Sequence, residues 1–74
     1  RLAETLCLLE NTFGTDAQGY IASPLVREEI ANLVGTATES LIRTLSDFAK
    51  DGIVELKGKH IRIANRNLLK KIHG

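Results

Sequence analysis

Cysteine is almost missing from this chain. Cys7 is the only one, so no internal disulfide can form and a zinc site built from cysteines is excluded within these residues. Standing among leucines in a helical pattern, Cys7 reads as a small buried hydrophobe. No apolar run approaches the roughly 18 residues that a membrane span needs, so no helix is expected to cross a bilayer. Repeats, low-complexity tracts and a signal-peptide pattern are missing too, and the chain starts at Arg1 rather than Met. The expectation is a piece of a longer protein with a domain upstream. Acid is lacking at one end. Every Asp and Glu lies at or before Glu55, and Lys57, Lys59, Arg62, Arg66, Lys70 and Lys71 follow with no acid among them. Such a basic end is a candidate phosphate-facing surface, the alternative being a solvated face that binds nothing. No Ser/His/Asp, Cys/His or paired-carboxylate set stands where a small fold would bring it together, so enzyme activity is not expected. His60 reads as a half-exposed strand residue without metal-ligand spacing around it, and His73, near the terminus, carries no signal.

What is present suffices for one small domain. The 74 residues are 43% hydrophobic and 26% charged, ordinary for a globular chain. Leu2, Leu6, Leu9 and Phe13 recur at helical spacing, with Cys7 and Leu8 widening the apolar face. Gly14 stops that helix, and a polar loop runs to Gly19. Residues 19–23 read as a short extended piece at an edge, because Pro24 cannot donate a ladder hydrogen bond. A second helix begins near Val26, with Glu28 and Glu29 in its first turn, where negative charge suits the helix dipole. Ile30, Leu33 and Val34 supply its buried face, and Ala31 sits where two helices must approach closely.

Gly35 reverses the chain. Thr36 and Glu39 have the spacing of a capping box for a third helix, along which Leu41, Leu45 and Phe48 continue at core spacing until Asp51-Gly52. Residues 53–56 and 61–63 read as two strands of a hairpin around Gly58. Leu68, Leu69 and Ile72 suggest a short closing helix starting around Asn65 or Asn67. A helix-turn-helix followed directly by a hairpin with lysines at its tip is a winged helix. The expected fold is therefore mainly α with a small β component: a winged helix-turn-helix over residues 1–74, with a three-helix core and a β-hairpin wing.

Three segments carry a more specific likeness: Arg27 through Gly35, Glu39 through Leu45, and Asp51 through Leu56, with residues 59–63 completing the wing. Together they resemble the DNA-binding domain of the cyclic-AMP receptor protein / fumarate-nitrate regulator family of bacterial transcription factors. The resemblance implies a cytoplasmic, sequence-specific regulator that works as a homodimer on double-stranded DNA, with RNA polymerase as a candidate partner. It also implies a sensor and dimerisation region upstream, absent from this chain. No cofactor is expected in these residues, and the effector of the missing sensor is left open.

Some positions depart from the family pattern. Val26 stands where the family has a capping Thr, leaving only the Glu29 half of a capping box. Thr38 replaces the Arg of the cyclic-AMP receptor branch, and Ile42 the Ser of the fumarate-nitrate branch, so neither branch's target sequence transfers intact. The family's helix start would also make Ala37, rather than Thr36, the N-cap.

Carried residue by residue, the resemblance makes Thr38, Glu39, Ile42 and Arg43 base readers on a recognition helix of about 37–51. Arg can donate two hydrogen bonds to guanine, a carboxylate can accept from cytosine N4, and methyl groups can meet thymine. The alternatives are an ordinary i,i+4 surface pair of Glu39 and Arg43 or Glu39 as cap partner of Thr36. Arg27, Thr36, Ser40, Lys57 and Lys59 are the candidate phosphate contacts, each with a merely solvated side chain as its alternative. A winged helix serving only as a protein-interaction module is the competing function.

Overall fold

The computed structural model describes residues 1–72, so His73 lies outside the described residues. The elements run α1 (Leu2–Phe13), α2 (Arg27–Val34), α3 (Thr38–Lys50), β1 (Val54–Lys57), β2 (His60–Ile63) and α4 (Arg66–Ile72). α1 buries Leu2, Leu6 and Leu9 together with Ala3 and Thr5. Leu8 and Phe13, expected on that face, are instead 56% and 39% exposed. Leu8 follows Leu6 by two residues, about 200° around the axis and so on the opposite side, and Phe13 lies in the last turn. Cys7 is half-buried and packs against the core.

The loop after α1 is held by Asp16, whose Oδ1 accepts the backbone N–H groups of Gln18 (2.9 Å) and Tyr20 (3.0 Å). The bond from Tyr20 is foremost in holding the Asp16 carboxyl below its ordinary pKa. Tyr20 and Ile21 then run extended and dock on the wing. Tyr20 bridges Arg62, Ile21 bridges Thr15, and the Ile21 N–H donates to the Ile61 carbonyl at 2.8 Å. The expected edge piece is thus a set of isolated bridges to β2 and the preceding loop.

α2 starts after Val26, which is extended (φ −86°, ψ 169°) and makes no side-chain cap. Its N–H donates to Glu29 Oε1 at 3.0 Å, so the Glu29 half of the box stands alone. Ile30, Ala31 and Val34 are buried, whereas Leu33 is 55% exposed. This eight-residue helix buries one stripe, and Leu33 falls about 100° round the axis from Val34. Gly35 adopts the left-handed conformation (φ 87°, ψ 35°), accessible to glycine at little cost. Its N–H and that of Thr36 both donate to the Ala31 carbonyl, at 2.8 and 3.0 Å.

That turn decides where α3 begins. With Thr36 committed to the turn, Ala37 becomes the N-cap (φ −72°, ψ 151°) and Thr38 the first helical residue. The Thr36–Glu39 capping box is therefore not formed. Leu41 and Leu45, each 1% exposed, anchor α3 on the core, with Phe48 half-buried beside them.

β1 and β2 pair antiparallel, Val54 with Ile63 through Lys57 with His60. The connection is only Gly58-Lys59, tighter than the four-residue link expected. Gly58 has φ 59° and no non-glycine residue has positive φ among the described residues, the pattern of a type II′ turn. Ile53, Val54, Ile61 and Ile63 face the core. His60 is exposed, not half-exposed, beside the turn. Asn65 Oδ1 accepts the Leu68 N–H (3.0 Å), opening α4, which buries Leu69 and leaves Ile72 47% exposed in its final turn.

Candidate nucleic-acid interface

Because Leu41, Leu45 and Phe48 turn inward, the opposite side of α3 is set by helical geometry. Glu39 and Arg43 lie near the middle of that outward side, with Ser46 and Lys50 continuing their row and Ile42 on its flank. All five are exposed, Ile42 to 48%. Thr38 is half-buried at the border with the core, and Thr36 is half-buried in the turn. Ser40 is exposed, and its carbonyl accepts the Thr44 hydroxyl at 2.9 Å. Among the described residues, neither Glu39 nor Arg43 has an ion pair or a side-chain hydrogen bond. The i,i+4 pair and the Thr36–Glu39 cap are both unformed here. A carboxylate and a guanidinium one turn apart are left with only water to satisfy them.

The wing is tied down at several points. The Arg27 guanidinium, expected as a phosphate clamp, donates from Nη1 to the Lys59 carbonyl at 3.0 Å. Partial burial pulls the Arg27 pKa below the ordinary guanidinium value. Lys57 Nζ lies 6.0 Å from the centre of the Tyr20 ring, and Arg62 Cζ lies 5.9 Å from it, within cation–π range. Arg62 also pairs with Glu55 across the hairpin.

The basic end is therefore not one surface. Arg66 donates from Nη1 and Nη2 to the two Glu10 oxygens at 2.7 and 3.0 Å, fastening α4 to α1. That bidentate contact is the main reason the Glu10 carboxyl falls below its ordinary pKa and the Arg66 pKa rises. Lys57 and Lys59 stay exposed on the wing, without acidic partners among the described residues. Lys70 and Lys71 sit on α4, where Lys70 joins Ala3, Cys7 and Leu69 around an apolar cleft of about 240 Å³.

Sequence reasoning missed several contributors. Ser46 and Lys50 stand three and seven residues beyond Arg43 and were findable from helical spacing. Tyr20 carried no local signal for its place beneath two wing cations. Among the described residues no three His, Cys, Asp or Glu side chains gather as a metal site.

A short helix, a glycine turn, a second helix with an unpaired polar face and a hairpin locked beside them define a winged helix-turn-helix. The Crp-like helix-turn-helix domain model matches residues 1–72. This chain belongs to that family. It is 38% identical to a CRP-like cAMP-activated global transcriptional regulator of Mycobacterium tuberculosis, across 93% of this chain and 32% of that protein. Electron transport regulator A of Shewanella oneidensis is 35% identical across 100% of this chain and 30% of its own length. The structure of FixK2 from Bradyrhizobium japonicum superposes with a TM-score of 0.81 at 27% identity, covering 95% of this chain and 35% of that one. The chain thus spans about a third of the length of these relatives. The family is one of transcription regulators, not enzymes.

Proposed function

We propose that this chain is the sequence-reading domain of a Crp/Fnr-type transcription regulator, with α3 in the DNA major groove and the wing on the phosphate backbone. Glu39 and Arg43 carry the base reading, Ile42 adds methyl contact to thymine, and Thr38 contributes from the edge of the same face. Lys57, Lys59 and Arg27 supply sequence-independent attraction at the wing, and Thr36 and Ser40 contact phosphate near the start of α3. The observation that carries this reading is the exposed Glu39 and Arg43, with no protein partner among the described residues, at the middle of the outward side of α3. Hydrated charges cost little on any surface; what supports the reading is the position of these two, one turn apart on the second helix of the motif and away from the core.

In the whole protein, a sensor and dimerisation region completes a cytoplasmic homodimer on a two-fold site. Half-sites then lie about one helical turn apart. One domain alone binds weakly, because the avidity of the second is lost. The test is selection from random duplex DNA with an artificially dimerised chain, followed by titration of wild type and Arg43→Ala on the selected and a scrambled duplex. Arg43→Ala should lose affinity for the selected site only. Equal losses on both duplexes refute Arg43 as a base reader, and no duplex binding at all leaves a protein-interaction module.

A further inference from the structure

Arg27 does something for the wing that a free phosphate clamp would not. It is the first residue of α2, and its guanidinium reaches the carbonyl of Lys59, 32 residues later, at the turn of the hairpin. The strand bodies are held by ladder pairing and by the Ile21 and Tyr20 bridges. The turn has this one further side-chain tether among the hydrogen bonds of the described residues. Lys59 also lines a narrow cleft with Ser23, Leu25 and Ile30, so the wing tip lies over the segment that leads into α2.

We infer that Arg27 is a positioning residue for the wing: by holding the Lys59 carbonyl it fixes the direction in which the Lys59 ammonium leaves the turn relative to the helix-turn-helix. This rests on the DNA-binding function proposed above and deepens it. A guanidinium has five N–H donors; one is spent on the Lys59 carbonyl, and others remain for a backbone phosphate at the same corner. Arg27 and Lys59 then act as one unit. Losing the tether lets the turn move, and the lysine stops contributing its own phosphate contact.

The experiment uses a random-sequence duplex, because these contacts are sequence-independent, and a double-mutant cycle of Arg27→Ala and Lys59→Ala. Each phosphate contact contributes about 0.9 to the slope of log affinity against log salt. In the wild-type background Lys59→Ala should lower that slope by about one. In the Arg27→Ala background it should lower it no further. Without DNA, backbone order parameters at Gly58 and Lys59 should fall in Arg27→Ala from the ~0.85 of rigid backbone toward ~0.6, while those of Leu41 and Leu45 stay unchanged.

Additive slope losses, or turn amides as ordered in Arg27→Ala as in wild type, overturn the tether. A wild-type chain that binds no duplex even when artificially dimerised overturns the DNA reading itself, and this role with it, an outcome distinct from additive slopes. Should Arg27→Ala unfold, Arg27→Gln is measured in the same way, since its amide nitrogen ends two atoms short of the Nη1 that donates to the Lys59 carbonyl.

Discussion

Val26 offers the most direct way to add stability to this fold. It occupies the N-cap of α2 with the extended backbone that a cap requires (φ −86°, ψ 169°), yet its side chain carries no acceptor. Val26→Thr exchanges one γ-methyl for a hydroxyl of nearly the same size. That hydroxyl can accept from the Glu29 N–H, one of the first-turn donors that the helix leaves unsatisfied. The Glu29 carboxylate already accepts from the residue 26 N–H at 3.0 Å, so the substitution completes a reciprocal box. A Thr cap contributes about 1 kcal/mol. The exchange gives up one methyl at a site 49% exposed, a loss of about 0.4 kcal/mol from half of a buried-methylene contribution. The net gain is about 0.6 kcal/mol, which for a domain of this size raises Tm by roughly 2–5 °C.

Thermal unfolding followed by circular dichroism measures this directly, with Val26→Ala as the control that trims the side chain without adding an acceptor. The gain should survive in a Glu29→Ala background, because the two halves of the box use different donors. An unchanged or lower Tm for Val26→Thr would show that α2 does not start where its backbone geometry places it.

The remaining predictions concern the interface, one ion pair and the helix crossing. Arg43→Ala should cost about 1–3 kcal/mol on a selected site and relax base preference at one position, read by competition against duplexes varied there. Glu10→Gln should cost up to about 1 kcal/mol near neutral pH, as an exposed but bidentate pair allows. Because Arg66 lowers the folded-state pKa of Glu10, that stability is present above the unfolded carboxylate value and is lost as pH falls through the folded one. The gap between wild type and Glu10→Gln in urea midpoint should therefore close as pH falls from the unfolded carboxylate value through the lowered folded one, and a gap that widens in acid refutes the assignment. Ala31→Leu should cost about 1–3 kcal/mol by overpacking, since Ala31 is 1% exposed in the core beside the turn, and equal or greater stability would show room there.

Local chemistry made much of the fold legible. Gly35 and Gly58 mark a left-handed turn and a hairpin tip by what their own backbones can do, and both occur there; of the two helix starts that the sequence offered, Asn65 and Asn67, the structure uses Asn65. Leu6, Leu41 and Leu45 follow from periodicity. The misplacements share one cause: periodicity gives an apolar arc without saying how wide a stripe the neighbouring elements cover. Leu8 and Leu33 lie outside those stripes and are exposed. The start of α3 depended on a competition for the Thr36 N–H that spacing does not reveal, since Thr36 and Ala37 are both plausible caps until the Ala31 carbonyl claims the former. The candidate face of α3 was legible because it lies on one helix. The tether from Arg27 and the ring beneath Lys57 were not, because they join residues far apart in the chain.

Charge bookkeeping makes the same point about function. A formal net charge of +1 predicts little attraction to a polyanion, and the basic run after Glu55 overstates it. Tertiary pairing decides between the two. Glu55 engages Arg62, and Glu10 engages Arg66, so two of the six cations beyond Glu55 are already compensated within the protein. Arg43 on α3 and Lys57 and Lys59 on the wing have no such acid among the described residues. Uncompensated positive charge thus stands on α3 and the wing, the two elements that a winged helix presents to DNA, and also at Lys70 and Lys71 of α4, while the paired arginines hold α1, α4 and the hairpin in place. A near-neutral domain of this kind gains its DNA affinity from where its unpaired cations stand. Its salt dependence should accordingly follow the few at the interface and not the net charge.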